Sequence, residues 1–324
     1  MLNVSRRLFL GGLTTACALS ARASDYPRAP IKIILPYPAG GTGDNLFRLL
    51  GNQVEKQTSI SFTVLNTAGA SGNIGTLNVV RSAPDGYTLL CAALNNFVTN
   101  QYLTPLQFDP LRDLVPIVRL GNGPVVFFSN PKVPAKTLGE FIALAKREPG
   151  RLNYASTGIG TTTHLHVELL KQVSGIDIQH VPYPGAPQIM PDLMRNEVQL
   201  FAGSLSVAAG LLDSGAVTAL AVAWPERISG YPNIPTTAEA GIRDFIAANW
   251  FAVAAPKNTA NEIIDLLNTE FVRAMRSSGM RERYIQLGYI PDLSSPSELI
   301  SSFQTEANQW EGIVKRLGIA AGKL

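Results

Sequence analysis

Cysteine is almost absent from this 324-residue chain, which holds only Cys17 and Cys91. Cys17 falls in a stretch expected to be removed, so one thiol would remain and no internal disulfide is expected. Cys91 sits in "YTLLCAAL", among apolar neighbours, and reads as a small buried residue. Histidine is nearly as scarce, with three in all. His164 and His166 stand two apart in a helical pattern, and residues two apart do not share a helix face. His180 stands alone in "IQHVPY". No metal site is expected from such a set. Beyond the first two dozen residues, no apolar run is long enough to cross a bilayer.

Net charge is also missing once the N-terminus is set aside. "SRRLFL" places Arg6 and Arg7 before an apolar run that reaches Leu19, and "ARAS" supplies a small-x-small cleavage site. That is the pattern of a secretory signal over residues 1–23, cleaved near Ala23. The paired arginines also fit a twin-arginine signal, so that route and the general secretory route both stand. The residues before Cys17, "LTTA", lack the leucine usual in a lipidation site. The leader takes three arginines (Arg6, Arg7 and Arg22), which leaves 24 basic residues against 24 acidic ones. A neutral chain without a basic run is a poor nucleic-acid binder, because phosphate neutralisation supplies most of that affinity. A mature chain of about 300 residues suggests two domains.

What the sequence does have is alternation. "IKIILP" (31–36), "SFTVLN" (61–66), "DGYTLLCAA" (85–93), "PVVFFSN" (124–130) and "LNYAS" (152–156) read as strands. Leu46, Leu49, Leu50 and Val54 follow helix spacing, as do Leu165, Leu169, Leu170 and Val173. "PAKTLGEFIALAKREPG" opens on a capping box of Thr137 and Glu140. Ile300, Phe303, Ala307, Trp310 and Val314 suggest one face of a long final helix. Strands alternating with helices imply βαβ units and a mostly parallel sheet. An approximate echo stands out within this pattern. "IKIILPYPAGGTGDNLFRLLGNQV" and "GRLNYASTGIGTTTHLHVELLKQV" both read strand, glycine loop, helix. The echo suits two similar domains offering one loop each, although any two βα units share some of it.

The familiar loop chemistries fail on these residues. Neither Gly40–Gly41 nor Gly158–Gly160 is followed by the lysine of a phosphate loop. A dinucleotide fingerprint would need glycine where Leu46 and Thr163 stand. "GASGN" (69–73) misses a nucleophile elbow, with Asn73 in the final place. No nucleophile, base and orienting group assemble, so an exported hydrolase is the weaker reading. The remaining use is anion binding at a helix N-terminus, which presents unpaired N–H groups and needs no cationic side chain. Thr161, Thr162 and Thr163 add hydroxyls at the second loop, and Thr42 and Asn45 at the first; plain N-capping is the competing role. Asp44 reads as a favourable first-turn acid.

Taken together, "YPRAPIKIILPYPAGGTGDNLFRLL", "AGASGNIGTLNVVRSAPDGYTLL", "YASTGIGTTTHLHVELL", "HVPYPGAPQIMPDLM" and "NIPTTAEAG" resemble the tripartite tricarboxylate transporter substrate-binding family, the Bug receptors. The resemblance covers essentially the whole mature chain in order. It implies an α/β fold of two doubly wound domains joined by a two-strand hinge, the type II periplasmic binding protein architecture. Residues 24–127 with 227–324 would form one domain and 128–226 the other. It implies a periplasmic, monomeric receptor without cofactor, metal or catalysis. Such a receptor closes on a small mono- or dicarboxylate, aromatic ones included, and delivers it to membrane permease subunits. A sensor presenting the ligand to a membrane signalling protein would use the same closed state. The resemblance places Tyr37, Ala39, Gly40, Gly41, Thr42 and Asp44 at the ligand from the first loop. From the second it places Ser156, Thr157, Gly158, Thr161, Thr162 and His164. Tyr183, Ala202 and Gly203 approach the cleft. Two places depart from the family: Ala202 stands where many relatives carry aspartate, and "AGASGN" replaces a more usual "PGAGGN". The missing acid argues against a ligand ammonium.

Overall fold

The computed structural model describes residues 26–243 and 245–318. The leader, with Arg6, Arg7, Cys17 and the cleavage point after Ala23, lies outside the described residues. Among the described residues there are nine strands: β1 (Ile31–Leu35), β2 (Phe62–Asn66), β3 (Thr88–Ala93), β4 (Leu114–Ser129), β5 (Asn153–Ser156), β6 (Gln179–Pro182), β7 (Leu200–Ser204), β8 (Thr218–Val222) and β9 (Ala248–Pro256). The α-helices are α1 (Thr42–Gln57), α2 (Asn73–Val80), α3 (Asn100–Leu103), α4 (Pro110–Asp113), α5 (Leu138–Arg147), α6 (Thr162–Ser174), α7 (Ala186–Arg195), α8 (Ala209–Asp213), α9 (Asn261–Met275), α10 (Met280–Gln286) and α11 (Pro296–Leu317). A wide π-type turn, Asn95–Thr99, precedes α3.

The strands run in the order β2-β1-β3-β9-β4-β7-β5-β6, with β8 also paired to β4. β1 pairs in parallel with β2 and β3, and β5 with β6 and β7, as βαβ alternation implies. The sheet is nevertheless mixed rather than mostly parallel. β4 and β9 return through its centre and are antiparallel to every neighbour. β4 is also far longer than the 124–130 segment read from sequence. Its first half, "LVPIVRLGNG", is interrupted by Pro116, Gly121 and Gly123, residues that normally punctuate strands. The pairing absorbs them with register shifts between Pro116 and Val118 and between Arg119 and Gly121.

Each half of the sheet carries an apolar cluster on both faces. On the β1–β3 half, α1 and α9 cover one face through Leu46, Leu50, Val54, Leu267 and Phe271. α11 covers the other with Leu299, Phe303, Ala307, Trp310 and Val314. On the β5–β8 half, α5 and α6 cover one face with Leu138, Phe141, Val167 and Leu170. α7 covers the other with Ile189 and Leu193. Ile228, Ile234, Phe245 and Ala247 also pack with this second half. The chain passes between the halves at two adjacent antiparallel points, where Gly123 faces Asn249 and Pro124 faces Ala248. Beside this crossing, Arg119 is buried, ion-paired to Glu306 at 3.0 Å, and stacked over Trp250 at 4.6 Å. The contact ties α11 to both long strands.

Most helix stripes hold, and Cys91 is buried as expected. The Thr137–Glu140 capping box forms with both of its hydrogen bonds. Two stripe positions fail. Val173 is exposed, and Ile300 is 51% exposed while its neighbour Leu299 is 1% exposed. The N-terminal turn of α11 therefore presents Leu299 to the core. Leu299→Ala should cost about 2–5 kcal/mol of stability, as other buried leucine truncations do. Ile300→Ala should stay within about 0.5 kcal/mol. Urea unfolding of the two variants checks the assignment.

Candidate functional site

The first glycine loop joins β1 to α1 and is held by Asp44. The Gly40 N–H donates to Asp44 Oδ2 at 3.1 Å, and Arg48 Nε donates to the same oxygen at 3.0 Å. Asn66 Nδ2 donates to Asp44 Oδ1 at 3.4 Å and to the Tyr37 carbonyl at 3.1 Å. Burial alone would raise the Asp44 carboxyl, but Arg48, the Gly40 N–H and Asn66 together hold it below its ordinary value. Both carboxylate oxygens are thus engaged in fixing the loop. The N-cap of α1 is Gly41, which offers no side-chain cap. The first intrahelical bond runs from Asn45 N–H to Gly41 O. The N–H groups of Thr42 and Gly43 lie ahead of it and remain available. Gly43 must be glycine, since a Cβ there would stand 2.7 Å from the Phe251 ring.

The second loop repeats the arrangement with hydroxyls. Thr161 is the N-cap of α6 but makes no capping bond. Its Oγ1 donates instead to the Gly158 carbonyl at 2.7 Å and meets Thr163 Oγ1 at 3.0 Å. Thr163 Oγ1 accepts from the Thr157 N–H at 2.9 Å. Plain N-capping is therefore not the role of these threonines, and the Thr162 and Thr163 N–H groups stay ahead of the helix ladder. His164 Nδ1 accepts from the Gly160 N–H at 3.1 Å. His180, solitary in sequence, stacks on His164 at 4.3 Å and on Tyr154 at 4.8 Å, and its Nε2 lies 2.6 Å from Ser156 Oγ. The pair beneath the loop is thus a scaffold. Ser156 is fully buried and also accepts from the Gly158 N–H, so it is not an exposed nucleophile. Among the described residues no cluster of His, Cys, Asp and Glu could hold a metal.

The two loops meet at one cavity of about 60 Å³ between the sheet halves. Tyr37, Gly41, Thr42 and Asp44 line it from the first half, and Thr157, Thr161, Thr162 and Gly203 from the second. Seven of the residues expected at the ligand do not reach it. Ala39 and Gly40 are exposed at the rim. Ser156 and His164 stand behind the second loop, and Gly158, within it, turns toward Ser71, whose Oγ a Cβ there would meet at 3.3 Å. Tyr183 turns away, donating to Asp192 at 2.6 Å. Ala202 points into the opposite core face, because alternation along β7 gives the cavity face to Phe201 and Gly203. Pro38, Gly43, Ala93, Asn95, Thr163, Gly185, Ala186, Pro187, Ser204, Val207, Asn249 and Phe251 also line it. Of these, Thr163 carried a sequence signal toward ligand contact, and Ser204 lies in the "FAGS" segment (201–204) that the family resemblance brings near the cleft. Asn249 and Phe251 were hidden because β9 was not recognised as a strand.

Direct contacts bridge the halves around this cavity. Ser206 Oγ donates to Thr42 Oγ1 at 3.2 Å. Ser71 Oγ donates to the Ile159 carbonyl at 2.6 Å, which gives the near-miss "GASGN" segment a role. Ser71 sits at a positive φ of 54°, and its carbonyl accepts from the amides of Asn95, Asn96 and Asn100. The Tyr37 hydroxyl donates to Asn95 Oδ1 at 3.1 Å, so the same amides join the cavity wall to the cross-cleft contact.

The histidines make a pH prediction. Burial first, then the neighbouring His180, pushes His164 down from 6.5 to about 4. Burial also pushes His166 down to about 4, and lowers His180. The unfolded chain takes up these protons below about pH 6.5, while the folded chain resists until about 4. The associated stability is complete above pH 6.5 and is lost as pH falls toward 4. Urea midpoints should decline across that window. His164→Gln, which keeps an acceptor for Gly160, should flatten the decline; an unchanged slope would assign it to other groups.

Comparison with known proteins agrees with this geometry. Residues 46–319 match the family model described as the tripartite tricarboxylate transporter family receptor. Protein BugT of Bordetella pertussis is 33% identical over 322 residues, covering 98% of this chain and 99% of its own. A Rhodopseudomonas palustris protein solved with adipate superposes with a TM-score of 0.89 at 30% identity, covering 92% of this chain and all of its own. The periplasmic binding protein BugD gives 0.86 at 27%, over 91% of this chain and all of its own. MatC of R. palustris, solved with malate, gives 0.84 at 29%, over 89% of this chain and all of its own. The fold is the mixed α/β fold of periplasmic binding proteins, and the family is one of binding proteins rather than enzymes. The chain belongs to the tripartite tricarboxylate transporter receptor family.

Proposed function

We propose that this receptor captures one small carboxylate between the N-termini of α1 and α6. The observation that carries the reading is electrostatic. Both helix ends lack a side-chain cap, both open on the same cavity, and among the described residues no lysine or arginine lines it. A carboxylate can accept from such N–H groups without a cationic partner. Each hydrogen bond to a charged group contributes on the order of 1.5–3 kcal/mol, and each helix end roughly 0.3–1 kcal/mol. Four bonds and two ends can outweigh the several kcal/mol of lost freedom on association. The relatives solved with adipate and malate support the ligand class. The cavity, about 60 Å³, suits a short ligand, given that one water-sized sphere occupies about 10–15 Å³ on the same measure.

The binding residues in this reading are Tyr37, Gly41, Thr42, Thr157, Thr161, Thr162 and Gly203, with Asp44 and His164 positioning the loops. We place the domain boundaries at the two crossings, near residues 123 and 248, and the hinge in the paired strands there. Closure excludes water and strengthens the bonds to the anion. The loaded, monomeric receptor then meets permease subunits at a membrane, after export to the periplasm.

Thermal unfolding with a panel of mono- and dicarboxylates tests the reading. At least one should raise the melting temperature, by the linkage expected for a ligand of the native state. A panel without effect, with sugars or cations stabilising instead, would overturn it. Gly41→Val supplies the second arm. A Cβ at Gly41 meets nothing closer than the Pro38 carbonyl at 3.4 Å, so folding tolerates the change. The side chain would stand at the cavity wall and block backbone approach, and carboxylate stabilisation should disappear.

A further inference from the structure

Most polar side chains lining the cavity are committed to one another. Asn95 donates to the Ser71 carbonyl and accepts from Tyr37. Ser204 Oγ lies 2.7 Å from the Tyr289 hydroxyl. The hydroxyls of Thr157, Thr161 and Thr163 form a closed triangle. Asn249 makes no such bond. It lines the cavity at 7% exposure, and its Oδ1 is buried without any hydrogen-bond partner. No side-chain hydrogen bond to it occurs among the described residues. Alternation along β9 puts it on the same face as Phe251, which also lines the cavity, while Trp250 between them faces the opposite core.

A buried amide is not left unpaired without cost, so its position calls for a partner from the ligand. A primary amide offers one acceptor and two donors. A carboxylate only accepts and cannot satisfy Oδ1. An ammonium donates but brings a charge. Asp44, the one carboxylate lining the cavity among the described residues, already has both oxygens engaged by Arg48, the Gly40 N–H and Asn66. A hydroxyl both donates and accepts, without charge. Resting on the carboxylate reading above, we propose that Asn249 recognises a hydroxyl on the ligand, and that the receptor selects hydroxycarboxylates over their deoxy counterparts. The helix ends take the anion, and the strand at the crossing reads the hydroxyl. Because Asn249 pairs with Gly123 where the chain passes between the halves, the hydroxyl contact lies at the hinge itself.

Calorimetric titration of the purified receptor with matched pairs tests this: lactate and propionate, malate and succinate, mandelate and phenylacetate. Aspartate provides the ammonium counterpart of malate. At least one hydroxy acid should bind about tenfold or more tightly than its deoxy partner, since a buried group built to meet a hydroxyl rejects the analogue lacking it. Aspartate should gain nothing over succinate. In Asn249→Ala the preference should shrink to within about threefold, chiefly through weaker hydroxy-acid binding. The wild-type comparison alone decides the matter if the variant folds poorly. Equal affinity across every pair would overturn the hydroxyl assignment while leaving the carboxylate reading intact. Binding of aspartate in preference to malate would also overturn it. Failure of every carboxylate to bind would remove both.

Discussion

The site depends on two helix ends whose first N–H groups are not capped by their own chain. Helices usually satisfy such groups with a serine, threonine, aspartate or asparagine at the N-cap. Here α1 begins after Gly41, which has no side chain to offer. α6 begins after Thr161, whose hydroxyl is drawn away to Gly158 and Thr163. Both ends open on one cavity without a cation. The unpaired N–H groups and the positive ends of two macrodipoles make that cavity hospitable to an anion. Asp44, the threonine triangle and the stacked histidines keep these ends in place.

The fold makes the two ends face each other. The chain itself crosses between the halves on adjacent strands, at Gly123–Asn249 and Pro124–Ala248. Contacts elsewhere also join the halves, among them the buried Ser204–Tyr289 pair and Leu165 and His166 of α6 against the α11 side. Ser71 to Ile159 and Ser206 to Thr42 are two more, and each lies near a glycine loop. Ser71 occupies left-handed backbone space, a cost that three asparagine amides on its carbonyl help offset. Tyr37 reaches those amides from the cavity wall, so occupancy and the cross-cleft contact share one hydrogen-bonded network.

Much of this was legible in the residues. The strand, glycine loop and helix echo located both halves of the site because backbone donors need only that local order. The helix stripes were legible because burial imposes a 3.6-residue period. Failures came where local rules yielded to tertiary context. β4 carries Pro116, Gly121 and Gly123, which read as breaks until pairing with β9 accommodates them. Ala202 belongs to a cavity-adjacent strand but faces the core, and a one-residue alternation decides which neighbour faces the cavity. His180 looked isolated because its partners, Tyr154, Ser156 and His164, come from other elements. Asn249 carried no motif; only the absence of a partner in three dimensions marks it.

The central claim is that backbone N–H groups at two helix ends hold the ligand's carboxylate. A crystal structure of the receptor with a bound carboxylate tests it most directly. Carboxylate oxygens should lie within about 2.7–3.2 Å of N–H groups among Thr42–Gly43 and Thr162–Thr163, the ordinary range for such bonds. A carboxylate seated elsewhere in the cavity, or paired to a lysine or arginine, would contradict it.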